Sequence, residues 1–101
     1  MAEYRAVCRV EALPPGQGRS FVVAGREIAL FHVEGGFHAL DNNCCHAGGP
    51  LGEGALEGCV VTCPWHAWRY DVTTGVSVMS AHLAVQRFET RVKDAQVEVL
   101  V

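Results

Sequence analysis

The sequence has no apolar run approaching the roughly 20 residues that an α-helix needs to cross a bilayer. Its first residues lack the basic start and the apolar stretch of a secretory signal. Basic residues are few and dispersed, since 8 Lys and Arg stand against 11 Asp and Glu. These absences disfavour a membrane protein and a nucleic-acid partner. We therefore expect a soluble, cytoplasmic protein that binds neither a membrane nor nucleic acid.

Short apolar runs separated by turn-forming residues make up most of the 101 residues, and 50% of all residues are hydrophobic. Pro14-Pro15-Gly16 and Glu34-Gly35-Gly36 are two of these turns, because proline and glycine interrupt regular structure. The pattern predicts a single all-β domain, an antiparallel sandwich or small barrel. Strands are expected at residues 4–10, 20–24, 27–33, 37–40, 83–92 and 96–101.

Residues 41–75 differ from the rest of the chain. They contain four of the five cysteines, both tryptophans and six of the 11 glycines, with little strand pattern. A segment of this kind inside so small a domain is more often a functional insertion than a plain connection. Because five cysteines cannot all pair and no export signal is present, metal binding or redox chemistry is favoured over disulfides.

Two short motifs in this segment each combine a cysteine with a histidine. The first is Cys44-Cys45-His46 and the second is Cys63-Pro64-Trp65-His66, with 16 residues between them. Each motif offers one thiolate and one imidazole on a loop that its glycines or its proline allow to bend. Two such loops facing each other would bring four ligands to one small centre: Cys44, His46, Cys63 and His66.

Two cysteines and two histidines suit either of two centres. A tetrahedral zinc ion accepts this ligand set, and so does a 2Fe–2S cluster in which two His replace two Cys on one iron. Zinc motifs usually pair Cys with Cys and His with His, whereas each loop here mixes the two. The mixed loops favour the cluster, and a structural zinc-binding module stays open as an alternative.

The motifs and their flanks, residues 46–51 and 63–71, resemble those of Rieske iron–sulfur proteins. The likeness is strongest to the ferredoxins of bacterial ring-hydroxylating oxygenase systems and to related small subunits. It implies one Rieske domain over residues 1–101, an antiparallel β-sandwich or barrel with a small cluster-binding subdomain. Two loops within about residues 41–75 would form that subdomain. Cys44 and Cys63 would bind the buried iron of one 2Fe–2S cluster, and His46 and His66 the outer iron.

The resemblance also implies a role. The chain would be a one-electron carrier that passes electrons from an NAD(P)H-dependent flavoprotein reductase to a terminal oxygenase, and no enzyme or substrate binder itself. It is too short to hold the second, mononuclear-iron domain of such an oxygenase. An alternative is a Rieske subunit or accessory of a larger enzyme such as an assimilatory nitrite reductase. Quinol-oxidising relatives carry an extra disulfide at positions near Gly49 and at Trp65, and neither is cysteine here.

The remaining candidates are assigned structural roles. Cys8 and Cys59 lie in apolar runs and are expected to be small core residues. His32 and His38 are expected on strands, and no role is assigned to Cys45.

The second motif contains an alanine and two tryptophans whose roles depend on how its loop is folded. Ala67 stands where many Rieske relatives have glycine, and we expect the loop to tolerate it. Trp65 and Trp68 either shield the cluster from water or anchor the loop in the core.

Overall fold

A computed structural model describes residues 2–33, 35–43, 49–65 and 67–101 of the protein. Regular structure in these ranges is almost entirely antiparallel β-strand, which confirms the predicted fold class. The strands are β1 Tyr4–Arg9, β2 Gln17–Val23, β3 Arg26–Val33, β4 Gly36–Asp41, β5 Ala55–Glu57, β6 Val60–Thr62, β7 Arg69–Asp71, β8 Arg87–Phe88, β9 Thr90–Lys93 and β10 Gln96–Leu100. Two single turns of 3₁₀-helix cover Val10–Ala12 and Leu51–Glu53.

The strands form three sheets. The central sheet has the order β2-β3-β4-β8, the terminal sheet β1-β10-β9 and the small sheet β5-β6-β7. Each neighbouring pair is antiparallel. The central sheet carries the first predicted loop at the end of β4, and the small sheet carries the second between β6 and β7. The two loops therefore start from different sheets.

The core lies on both faces of the central sheet, because successive side chains of a strand point to opposite faces. On β3, Ala29 and Phe31 face Val61 of β6 and Tyr70 of β7 in one buried cluster. Ile28 and Leu30 belong to a second cluster, shared with Val97 and Val99 of the terminal sheet. Since β3 is covered on both sides, its sequence reads as a continuous apolar run rather than an alternating one.

Two of the strand predictions are wrong. Residues 83–92 contribute to two strands in different sheets. β8 pairs with β4 of the central sheet, and β9 pairs with β10 of the terminal sheet. Residues 41–75 contain the whole small sheet, where few strands were expected. Its strands have three residues each, so each shows only one or two inward side chains, too few for a period-2 pattern.

The other predicted strands agree with the structure to within three residues at each end. The turn of the β2–β3 hairpin lies at Ala24-Gly25, one residue before the expected position, and both residues have positive φ. No helix in the described ranges has the length and apolarity to cross a bilayer.

Candidate metal centre

The structure describes one of the four predicted ligands. Cys63 comes directly after β6, whereas Cys44, His46 and His66 lie outside the described residues, as does Cys45. The side chain of Cys63 belongs to the buried cluster between the central and small sheets, and the residue is 1% exposed. It is a free thiol, as are Cys8 and Cys59.

A short loop between β6 and β7 holds Cys63. Thr62 pairs with Arg69 across the hairpin, so residues 63–68 form the connection. The backbone N–H of Cys63 donates to the Trp68 carbonyl at 2.6 Å, and the Cys63 carbonyl accepts from the Ala67 N–H at 3.1 Å. Both backbone groups of the cysteine are thus satisfied inside the loop. These two hydrogen bonds fix the backbone from which the Cys63 side chain projects into the core.

Gly49 brings the flank of the first motif against this cysteine. A Cβ atom built on Gly49 would lie 2.7 Å from the Sγ of Cys63, and 3.1 Å and 3.2 Å from ring atoms of Trp65. Real Cβ atoms do not approach other atoms this closely, so a residue without a side chain is required here. The last described part of the first loop therefore packs on the second loop, as the prediction of two facing loops requires. A buried thiol at such a contact fits the thiolate ligand of an iron–sulfur cluster.

The two tryptophans of the second motif have different environments. Trp65 is 58% exposed and lies over Gly49, whereas Trp68 is partly buried and packs against the core. Trp68 therefore anchors the loop, and Trp65 presents an aromatic surface beside it. Gly49 and Trp65, the positions at or near which the resemblance would place the extra disulfide of the quinol-oxidising branch, are in contact here.

The two other described cysteines lie outside the two predicted motifs. Cys8 is partly buried on β1 and packs against the second core cluster, as predicted. Burial raises the pKa of its thiol, and the nearby Arg19 opposes this shift. Cys59 is exposed at the turn between β5 and β6, so the prediction that it is a core residue is wrong. The apolar residues around it belong to short strands, and the turn itself points to solvent.

His32 and His38 are strand residues, as predicted. His32 lies on β3, donates from its Nδ1 to the Leu13 carbonyl at 2.7 Å and stacks on Phe37 at 4.0 Å between ring centroids. His38 lies on β4, where burial lowers its pKa and Arg87 lowers it further. Within the described ranges, no group of three His, Cys, Asp or Glu side chains is placed to hold a metal ion.

The sequence did not reveal that Asn42 and Gly52, at the two ends of the first loop, hold this loop against the central sheet. Asn42 is 5% exposed, and Gly52 packs against the backbone of β2. The run Asp41-Asn42-Asn43 is typical of an exposed turn, and nothing local distinguishes its buried member. A glycine in a loop likewise gives no sign of whether it supplies a turn or a close approach.

Ala67 occupies a backbone conformation that costs free energy for any residue with a Cβ, since its φ is 58°. The left-handed region costs an L-residue roughly 1–2 kcal/mol. Glycine avoids this cost, but its greater conformational freedom in the unfolded chain lowers stability by about 0.4–1 kcal/mol relative to alanine. We therefore expect Ala67→Gly to raise the free energy of unfolding by about 0.5–1 kcal/mol, measured as a higher Tm of the holoprotein.

Ala55→Gly is the matched control, because Ala55 is also exposed and lies in β5 without a positive φ. Glycine in a strand interior lowers stability, so this variant should lower the Tm. Equal losses of Tm in both variants would contradict the strain at Ala67.

Comparison with known proteins identifies the class of this chain. Residues 3–89 match the Rieske 2Fe-2S domain. The ferredoxin component of the naphthalene 1,2-dioxygenase/salicylate 5-hydroxylase systems of Ralstonia sp. is 43% identical over 70 residues, which are 69% of this chain and 66% of that protein. The chain thus aligns with just under two thirds of this relative's length.

Solved structures agree. A chain in the complex of reduced oxygenase and oxidised ferredoxin of carbazole 1,9a-dioxygenase superposes with a TM-score of 0.86 and 31% identity, covering 96% of this chain and 92% of that one. A putative NADH-dependent nitrite reductase small subunit from Mycobacterium tuberculosis has a TM-score of 0.88 at 19% identity, covering 100% and 96%. The second likeness shows the fold alone.

The three-sheet antiparallel fold agrees with that of the solved relatives, and Cys63 is buried where the second motif leaves the small sheet. The chain belongs to the Rieske 2Fe-2S domain family. Its cofactor is a Rieske-type 2Fe–2S cluster, as predicted from the paired motifs. The ferredoxin names of the relatives agree with the predicted role of an electron-transfer component rather than an enzyme.

Proposed function

We propose that this chain is a one-electron carrier whose 2Fe–2S cluster is held by Cys44, His46, Cys63 and His66. The observation that carries the proposal is the buried Cys63 thiol, whose Sγ lies against Gly49 from the flank of the first motif. The cluster supplies a centre that takes up and releases one electron. The rest of the chain binds it, excludes water from it and presents it to other proteins.

The two loops have different tasks around such a centre. Cys63 lies in the protein interior, where its thiolate is kept from water by the core cluster that surrounds it. The second motif continues outward from the buried Cys63 to the exposed Trp65, the residue before His66 in the sequence. The described part of the motif therefore leads towards the surface. This order supports assigning the cysteines to the inner iron and the histidines to the outer one.

The partners we propose are an NAD(P)H-dependent flavoprotein reductase as electron donor and a terminal oxygenase as acceptor. The support for the acceptor is that the relatives are ferredoxin components of dioxygenase systems, and that one solved relative is an oxygenase–ferredoxin complex. The chain would bind no small-molecule substrate of its own. We propose the cytoplasm as its location, because free thiols such as Cys8 and Cys59 suit a reducing compartment. We also propose that residues 1–101 act as one domain.

The alternative of a bound subunit rests on the nitrite reductase small subunit, which shares the fold. The two functions differ in whether the chain dissociates from its enzyme during turnover. A free carrier turns over many times with a separate reductase and oxygenase, whereas a subunit co-purifies with its enzyme.

The purified protein should be red-brown, contain two irons and two sulfides per chain and no zinc, and give a reduced-state electron paramagnetic resonance (EPR) signal of low average g. Its potential should fall within the Rieske range of roughly −150 to +300 mV, towards the lower part, because Gly49 and Trp65 leave out the disulfide of the quinol-oxidising branch. It should accept electrons from a flavoprotein reductase with NAD(P)H. Colourless protein with one zinc per chain would establish the structural module instead.

Delivery to an oxygenase should depend on Trp65, which is 58% exposed beside the second motif. Buried aromatic anchors dominate protein interfaces, so we expect Trp65→Ala to slow delivery about tenfold. The iron and sulfide content per chain should stay unchanged, which separates docking from loss of the cluster. Val92→Ala on β9, a 54% exposed apolar residue of the terminal sheet, is the control and should have no effect. Equal rates for both variants would place the docking surface elsewhere.

A further inference from the structure

Asn42 stands where the chain leaves the central sheet and enters the first cluster loop. It follows β4 directly and is 5% exposed. Its side-chain Oδ1 accepts two hydrogen bonds, from the Ser20 hydroxyl at 3.0 Å and from the Gly52 N–H at 2.8 Å. One oxygen thus joins β2 of the central sheet to the residue at which the chain returns from the loop.

The backbone of Asn42 makes two further hydrogen bonds, one to β3 of the central sheet and one to the returning chain. Its N–H donates to the Glu27 carbonyl at 3.0 Å, and its carbonyl accepts from the Leu51 N–H at 2.8 Å. The next residue, Asn43, forms an isolated antiparallel β-bridge with Pro50. The beginning and the end of the loop, residues 43–50, are therefore closed on this one asparagine.

The returning chain continues from this closure towards the second loop. Gly52 lies so close to β2 that a Cβ would stand 2.6 Å from the Ser20 nitrogen. Gly54 lies against the carbonyl of Thr62, the residue before Cys63. Leu51, which precedes Gly52, is fully buried and packs in the same core cluster as Cys63. A continuous set of close contacts thus runs from Asn42 to the base of the second loop.

We propose that Asn42 is a positioning residue that fixes the separation of the two cluster loops, and through it the geometry of the cluster. This inference rests on the proposed ligand set, since it concerns how that set is held. Without the Oδ1 acceptor, the Gly52 N–H would be buried without a partner. The 3₁₀ turn at Leu51–Glu53 would lose one of these two hydrogen bonds to Asn42, while the bond from the Leu51 N–H to the Asn42 carbonyl remains. The two loops would then move relative to each other, although each keeps its own cysteine and histidine.

The test compares three holoproteins. Asn42→Ala removes the acceptor, Asn42→Asp keeps an acceptor oxygen at the same place, and Val97→Ala weakens the second core cluster without touching the loops. The measurements are the rate of cluster loss at a fixed temperature, the g-values of the reduced cluster and amide hydrogen exchange at Gly52.

We expect Asn42→Ala to lose its cluster about tenfold faster than Val97→Ala, with shifted g-values and a less protected Gly52 amide. Asn42→Asp should restore the g-values and most of the protection. Identical g-values and matched loss rates for Asn42→Ala and Val97→Ala would overturn the inference, and so would an aspartate variant no better than the alanine.

If Asn42→Ala assembles no cluster, Ser20→Ala decides, because it removes one of the two hydrogen bonds to Oδ1 and leaves Gly52 paired. A shift of its g-values from those of the wild-type protein supports the inference, and unchanged g-values overturn it. Wild-type protein that contains a Rieske cluster keeps the proposed function in either case. Wild-type protein without one would instead contradict the proposed function.

Discussion

We expect Cys63→Ser to contain under about a tenth of the wild-type iron and sulfide, because a hard hydroxyl oxygen is a poor substitute for a thiolate on iron. The serine side chain has nearly the same shape, so the change tests the ligand atom rather than the packing. The measurements are iron and sulfide content and the visible absorption of the purified protein. Cys44→Ser should behave alike if both cysteines bind the inner iron.

Loss of colour from unfolding has to be distinguished from loss of a ligand. Cys63 is 1% exposed, and a buried hydroxyl without a partner costs roughly 1–3 kcal/mol. This cost is smaller than the 5–15 kcal/mol by which domains are usually stable. The fold should therefore survive, with β-sheet circular dichroism like that of the wild-type apoprotein. A colourless but folded variant is the expected result.

Cys59→Ser and Cys8→Ser are the matched controls. Both are free thiols in the described part of the chain, and neither belongs to the proposed ligand set. Each variant should keep a full cluster and the wild-type EPR signal. A coloured Cys63→Ser protein, or a colourless Cys59→Ser protein, would show that the ligand set is assigned wrongly.

Gly52→Ala should destabilise the protein, because the added methyl group would meet the backbone of β2. Its Cβ would lie 2.5 Å from the Ser20 Oγ, 2.6 Å from the Ser20 nitrogen and 2.7 Å from the Arg19 carbonyl carbon. Two of these atoms are backbone of β2, which is fixed by its pairing with β3. Relief therefore requires the 3₁₀ turn to move away from the sheet.

The magnitude follows from two opposing effects. Alanine restricts the unfolded chain more than glycine does, which stabilises the folded protein by about 0.4–1 kcal/mol. Overpacking, in contrast, typically costs 1–3 kcal/mol and occasionally more. The overpacking is larger, so we expect a net loss of roughly 2 kcal/mol. For a domain of this size such a loss lowers the Tm by about 10 °C. Thermal unfolding of the holoprotein at one fixed scan rate measures it.

Gly36→Ala is the control. Gly36 begins β4, has no positive φ and would have no atom within 4 Å of an added Cβ. Its replacement should leave the Tm unchanged or raise it slightly. Similar Tm values for the two variants would show that the 3₁₀ turn has room to shift, and would weaken its role as the connection between the loops.

The sequence by itself determined the chemistry of the site. Two mixed motifs of cysteine and histidine favour an iron–sulfur cluster over zinc, and the resemblance of the motifs and their flanks predicts the Rieske type, because ligand atoms and their spacing are local properties of the chain. It also determined the long strands such as β3 and β10, whose apolar residues follow a local pattern. Cys59 shows the limit of such patterns, since an apolar neighbourhood does not reveal that a residue lies at an exposed turn.

Only the tertiary structure decided how the two loops are held. The burial of Asn42 and the close approaches of Gly49 and Gly52 involve residues that are distant in sequence, so no local pattern announces them. The division of residues 83–92 between two sheets has the same cause, because strand pairing depends on partners elsewhere in the chain. The four proposed ligands follow from composition and spacing, whereas their separation in space follows from packing between sheets.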